Sequence, residues 1–254
     1  MTPGILSGRP VLRARRTIPG PPHDPVKARL LRLHRDLLRT YGPQRWWPGR
    51  SAFEIAAGAI LTQHTAWTNA ARAVAALRAR GLLRPARLAA VGELDLAGVI
   101  RAAGTYRLKA RRLRAFTEWL LGRFGGRFDG LRRAPLGALR RELLTVDGLG
   151  PETVDAILLY AAHRPVFVAD AYTRRFLAAQ RLLSPTAGYE DARAFLESHL
   201  PSDPALFNEF HALVVAAGKQ GRRRVTGARS RGGSSPGARR RRERRASGRA
   251  RPSP

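Results

Sequence analysis

The sequence predicts an all-α protein, and three observations carry that prediction. Apolar residues recur at helical spacing along most of the chain, glycine and proline punctuate the gaps between those stripes, and only Pro165-Val166-Phe167-Val168 has the character of an extended segment. Leu30, Leu33, Leu37 and Leu38 stripe a first helix that ends before Tyr41-Gly42-Pro43. Phe53, Ala57, Ile60 and Leu61 mark a second, and Ala70, Ala73, Val74 and Leu77 a third that stops at Gly81. Leu113, Phe116 and Leu120 stripe a helix closed by Gly122. Leu139, Leu143 and Leu144 define the next, and Val154, Ile157, Leu158 and Ala161 the one opened by Gly150-Pro151. A helix follows Asp170, another lies around 189–200, and the last carries Leu206, Phe210, Leu213 and Val214. About nine or ten helices with short connections and no internal repeat make a helical protein rather than a sheet-based one.

Composition narrows what such a protein can do. With 44% hydrophobic residues in 254, the chain has enough apolar side chains for a real core. The formal net charge is +29, and all but Lys27, Lys109 and Lys219 among the 47 basic residues are arginine. A surface of that kind attracts polyanions. The absence of cysteine excludes disulfides, cysteine-ligated zinc, iron–sulfur clusters and thiol nucleophiles. No apolar run approaches the roughly 18 residues of a membrane span, and the N-terminal stretch lacks an apolar signal region, so a cytoplasmic, nucleoid-associated protein is expected.

The charge is uneven. Thirteen arginines and one acid, Glu243, fall in 222–254, a stretch of Arg, Gly, Ser and Pro that cannot bury enough surface to fold alone. Residues 1–25 and 221–254 are therefore expected to be disordered, flanking a folded domain over 26–220. The basic tail reads either as a non-specific polyanion binder or as the product of a shifted reading frame in a GC-rich gene.

The most informative segment is LRRELLTVDGLGPETVDAILLYA. Two striped helices are joined by Val146-Asp147-Gly148-Leu149-Gly150, whose two glycines permit a tight hairpin and close approach of another backbone. Free N–H groups of such a hairpin and of the next helix N-terminus form a site for one phosphate. This is the helix-hairpin-helix pattern, which grips a DNA backbone without reading bases; an ordinary αα-corner built with glycines is the plainer alternative.

The run GLGPETVDAILLYAAHRPVFVADAYTRRFL resembles the hairpin, loop and aspartate signature of the endonuclease III (HhH-GPD) superfamily of DNA glycosylases. FEIAAGAILTQHTAW, GTYRLKARRL and FHALVVAAGK resemble three further family segments in the family's order, so the likeness spans roughly 28–220. It implies two helical lobes, one a six-helix barrel over 54–163, with a cleft between them into which a damaged nucleotide is flipped. Most members hold a [4Fe–4S] cluster on four cysteines after this region; here the arginine tail begins instead, so no cofactor is expected.

The resemblance also assigns site residues. Asp170, which on its own reads as a helix N-cap, matches the catalytic aspartate, a carboxylate suited to stabilising an oxocarbenium-like sugar. Glu152 stands where bifunctional members carry a nucleophilic lysine, which implies a monofunctional enzyme without lyase activity; the acid itself either takes part in chemistry or favours a helix N-terminus. Gln63 matches the side chain that fills the hole left in DNA, with His64 beside it; Gly148, Leu149, Gly150, Thr153 and Lys109 complete the expected DNA contacts. Trp46, Trp47 and Trp67 are similar to the aromatic sites that sandwich the base in cluster-free 3-methyladenine DNA glycosylases, where indoles would attract a cationic alkylpurine. Lys219 matches a lysine at the pocket edge, although Ala217 replaces the family's histidine, which favours a plain surface lysine. The expected function is excision of an alkylated purine from double-stranded DNA by a monomer. A glycosylase for oxidised or mismatched bases, or a non-catalytic DNA-binding protein, are the alternatives.

Overall fold

The computed structural model describes residues 24–231; the expectations for 1–23 and 232–254 lie outside it. Helix α1 (Pro25–Tyr41) begins where the Asp24 carboxylate accepts from the Val26 and Lys27 amides at 2.9 and 3.1 Å. Helix α2 (Ala52–Leu61) is capped by Ser51, and α3 (Trp67–Ala79) follows. Two short helices, α4 (Pro85–Ala89) and α5 (Glu93–Val99), and a 3₁₀ turn (Arg101–Ala103) lead into α6 (Tyr106–Phe124). After α7 (Asp129–Arg133) come α8 (Leu136–Leu144) and α9 (Pro151–Ala156), which flank the hairpin. Helix α9 widens into a π turn over Ile157–Ala161, its i→i+5 bond running from the Ala162 amide to the Ile157 carbonyl at 3.1 Å. The chain ends in α10 (Ala171–Ala179), α11 (Tyr189–His199) and α12 (Pro204–Arg231).

Helix α2 is the axis of one group of helices. Eight of its ten residues are buried, including Ile60 and Leu61 at 0% exposure, so polar residues are confined to its ends. Each such side chain contributes about 1.5–3 kcal/mol when fully buried. Helices α3, α6 and α9 and the π turn pack around α2, with α4 and α5 on α6. The second group pairs α1 with α12 and α11, and α10 with α12 and α11. The two groups meet where α12 packs on the π turn.

A second tie is ionic. Asp155, with no exposed side-chain surface, is held bidentately by Arg140 (2.7 and 3.0 Å) and accepts from the Tyr189 hydroxyl at 2.9 Å. Arg140 also reaches Glu190 at 2.7 Å, so α8 and α9 are fastened to α11. A buried charge is tolerable only with partners of this quality.

The structure departs from the sequence expectations at three points. Three short helices, α4, α5 and α7, were not anticipated, because five to seven residues are too few to show a periodic stripe. Helix α6 passes through Gly122 and ends at Gly125, whose φ of 60° supplies the left-handed cap. Residues 165–168 pair with no strand among the described residues; Val166, Phe167 and Val168 are buried against the helices. Helix α12 runs to Arg231.

Candidate active site

Asp170 opens α10, and its Oδ1 accepts from the Thr173 amide at 2.8 Å, so the N-cap reading is correct. The other oxygen, Oδ2, faces His211 Nε2 of α12 at 3.5 Å, a long contact in which electrostatics dominates. Burial would push the Asp170 carboxyl up, but His211 and the Thr173 bonds outweigh it and hold it below the usual carboxylate range. Glu152, in the first turn of α9, behaves in the opposite sense. Partial burial and then the negative charge of Asp170 raise its carboxyl, against the pull of His211, Arg174 and His64. A substantial part of Glu152 is nevertheless open to solvent, so the burial effect is weaker than for an enclosed acid. Two neighbouring carboxyls pushed apart in this way divide into one that stays ionised and one that holds its proton more readily.

Behind the carboxylate, His211 Nδ1 is hydrogen-bonded to the Tyr160 hydroxyl, and both side chains are buried. The Tyr160 ring sits 5.3 Å from that of Trp47. Trp46, Trp47 and Trp67 are mutually packed, with centroids 5.0–5.4 Å apart and rings inclined by 57–87°. Gly58 makes room for Trp47, since a Cβ there would lie 3.1 Å from the indole Nε1. An open sandwich for a base needs parallel rings about 7 Å apart, twice the contact distance of roughly 3.5 Å. The expected clamp is therefore closed here, the indoles filling one another's faces. A cavity of about 340 Å³ adjoins them, lined by Trp46, Trp47, Tyr160, His163 and Asn208 among others. Lys219 is exposed, as a surface lysine should be, yet its Nζ lies 6.0 Å from the Trp46 ring centroid.

The hairpin faces Gln63. Gln63 Nε2 donates to the Gly148 carbonyl (3.1 Å) and to Thr153 Oγ1 (2.9 Å), while Arg112 Nη1 donates to Gln63 Oε1 at 2.7 Å. Gly148 has a φ of +76°, and a Cβ there would meet Arg112 Cγ at 2.3 Å, so glycine is required on two counts. His64 is exposed with a φ of 51°, and Gly150 precedes Pro151 at the start of α9.

Several expected DNA contacts are corrected by burial. Lys109 is 1% exposed, its ammonium donating to the Leu61 carbonyl (2.9 Å) and the Ala103 carbonyl (2.7 Å). It satisfies the C-terminal carbonyl end of α2 and cannot reach a phosphate. Leu149 is 4% exposed and anchors the hairpin in the core, its amide committed to the Val146 carbonyl. Thr153 is buried and spends its hydroxyl on Gln63. Gln63 is itself half-buried and bonded within the protein rather than projecting freely. His211, Tyr160 and Arg112 were not anticipated as part of the site. The first two lie in apolar stripes, where an isolated polar ring reads as core, and only the fold brings residues 51 positions apart into contact.

Comparison with known proteins identifies the family. Residues 57–202 match the HhH-GPD superfamily base excision DNA repair protein family. A Methanocaldococcus jannaschii protein named Putative DNA repair glycosylase is 38% identical over 187 residues, covering 73% of this chain and 85% of the relative. Endonuclease III of Thermotoga maritima is 27% identical, over 66% of this chain and 73% of its own. Among solved structures, the H. pylori 3-methyladenine DNA glycosylase bound to 1,N6-ethenoadenine superposes with a TM-score of 0.65 at 27% identity, covering 77% of this chain and 96% of that one. A trapped endonuclease III–DNA covalent intermediate superposes at 0.62 with 17% identity, over 72% and 84% of the two chains, a likeness of fold alone. With more than half its length matched by the family and a relative of this identity, the chain belongs to the HhH-GPD superfamily of base excision DNA repair proteins.

Proposed function

We propose that this DNA glycosylase of base excision repair is monofunctional and removes an alkylated purine such as 3-methyladenine. The observation that carries the reading is the carboxylate of Asp170, which accepts from the Thr173 amide at 2.8 Å and faces His211 at 3.5 Å, with Glu152 close enough for each carboxyl to feel the other. In the reaction the C1′–N bond breaks and its electron pair leaves with the base. The ionised Asp170 stabilises the positive charge that develops on the deoxyribose. Water then bonds to C1′ and gives up a proton, and an abasic site remains. A Glu152 that holds its proton can donate to a departing base, although an alkylated purine already carries the charge that weakens its bond.

Absence of lyase chemistry is supported by the lysines. Glu152 occupies the position of the nucleophile, and the Lys109 amine is tied to two carbonyls in the core. The alkylpurine preference rests on three indoles that could engage a cationic base at about 0.5–2 kcal/mol, and on the likeness to the H. pylori enzyme. The closed packing of those indoles requires them to part as the base enters. The bulk of the positive charge is available for the DNA backbone, and the chain, having no cysteine, works without an iron–sulfur cluster and as a monomer. A panel of duplexes, each with one lesion, tests the assignment by release of free base. Excision of alkylated purines is expected, and comparable release of uracil or oxidised pyrimidines without alkylpurine release overturns it.

A second reading is favoured by Lys219. An ammonium 6.0 Å from the Trp46 ring competes for the aromatic face that a cationic base would use. If Lys219 keeps that place when DNA binds, a neutral damaged base is the better substrate, and the same panel distinguishes the two.

A further inference from the structure

We propose that His211 and Tyr160 form a positioning pair that orients the Asp170 carboxylate, an inference that rests on the glycosylase reading for its catalytic consequence but not for its geometry. Tyr160 OH is bonded to His211 Nδ1, and His211 Nε2 faces Asp170 Oδ2 at 3.5 Å. The three groups come from different elements: the π turn, the cap of α10 and helix α12. His211 is 6% and Tyr160 2% exposed, so water does not compete for these bonds.

In this pair the Tyr160 hydroxyl is the donor. Burial and the nearby carboxylates Asp170 and Glu152 push the Tyr160 phenol well above its ordinary value, so it keeps its proton. With the Tyr160 hydroxyl as donor to Nδ1, the imidazole hydrogen lies on Nε2. That nitrogen is buried and makes no hydrogen bond of normal length among the described residues. It faces Asp170 Oδ2 at 3.5 Å, so a hydrogen on it is directed toward the carboxylate. Asp170 is thus hydrogen-bonded at Oδ1 by the Thr173 amide and faced at Oδ2 by the imidazole edge. Tyr160 also contacts Trp47. Movement of the indoles to admit a base is therefore transmitted to the hydroxyl that sets the histidine tautomer. The charged groups acting on the neighbouring Glu152 carboxyl are Asp170 and His211, with Arg174 of α10 and His64 beyond α2.

Two measurements on the full chain test this. Long-range ¹H–¹⁵N NMR reads the His211 tautomer in the free protein near neutral pH. The Nε2–H form is expected, with Tyr160→Phe removing the preference; a dominant Nδ1–H form in the wild type overturns the proposal. Single-turnover excision is then compared for wild type, His211→Leu and His211→Gln on a lesion duplex that the wild type cleaves. His211→Leu should lower the rate on the order of tenfold or more with unchanged DNA affinity. It should also move the acidic limb of the rate profile upward by about one pH unit, because Asp170 loses its stabilising neighbour. His211→Gln, which keeps an N–H donor, should recover part of the rate. A His211→Leu limb that stays in place with a rate within threefold of wild type refutes the positioning role. A wild type that releases no base from any duplex sinks the glycosylase reading instead, and the tautomer measurement still decides the geometry.

Discussion

Replacing Asp170 with asparagine separates its two roles. The side-chain oxygen of asparagine can still accept from the Thr173 amide, now at 2.8 Å from Oδ1, and asparagine caps helices about as well as aspartate. Stability should therefore change by less than about 1 kcal/mol. The charge is lost completely. A carboxylate about 4 Å from a unit of developing positive charge is worth about 4 kcal/mol at an effective dielectric constant near 20. That corresponds to about a thousandfold in rate. Asp170 suits this estimate because it is largely enclosed and held ionised at neutral pH. The assay is single-turnover base release with enzyme in excess, alongside a DNA-binding titration and a urea unfolding curve on the same preparation. Retention of the rate within threefold of wild type, with folding and affinity intact, would refute an electrostatic role for this carboxylate. Loss of stability by several kcal/mol would show instead that the cap geometry had been misjudged.

Further outcomes follow from the same geometry. Arg140→Met strands the fully buried Asp155 with only Tyr189 and the more distant Arg193 to offset it, and should cost about 3 kcal/mol in urea unfolding. An undiminished midpoint would show that the cluster contributes no net stability. Gly148→Ala forces a side chain into the left-handed region against Arg112 and should destabilise by about 1–2 kcal/mol while weakening DNA binding, both read from the same variant. Because Asp170 is depressed in the folded state, its stabilising contribution is complete above its unfolded value of about 3.9 and is lost as pH falls through the lower folded value. Asp170→Asn should consequently flatten the acid end of a melting-temperature profile; an unchanged slope below about pH 4 would contradict this. Glu152 has the opposite sign: its raised carboxyl makes ionisation unfavourable to the fold, so Glu152→Gln should raise the melting temperature near neutral pH. Borohydride should trap no covalent adduct with lesion DNA, and an adduct abolished by Lys219→Arg would overturn the monofunctional assignment.

The legible part of this protein is what local pattern controls. Stripes such as Leu113, Phe116 and Leu120 announce α6, and Pro151 after Gly150 announces α9, because each signal lies within one or two helical turns. Asp170 was recognisable as a cap, since the cap needs only the next three residues. Lys109 was misread because the likeness of GTYRLKARRL to a family segment says nothing of where its side chain is buried. Its burial depends on the carbonyl ends of α2 and the 3₁₀ turn converging on one point, 48 residues away in the first case. His211 and Tyr160 were hidden for the same reason, since nothing in either stripe specifies the other. The hairpin contributes differently again. Its glycines are legible, but Gln63 and Arg112 closing over Gly148 belong to the assembled fold.

The widened turn over Ile157–Ala161 makes residue count, rather than residue identity, the sensitive variable in this stretch. Losing one residue there would turn the wide turn into an ordinary 3.6-residue one and change the path by which the chain leaves it toward 162–170. Conservative exchanges among its aliphatic side chains should be absorbed, whereas a single-codon deletion would aim the phenol and the α10 aspartate in different directions without altering either.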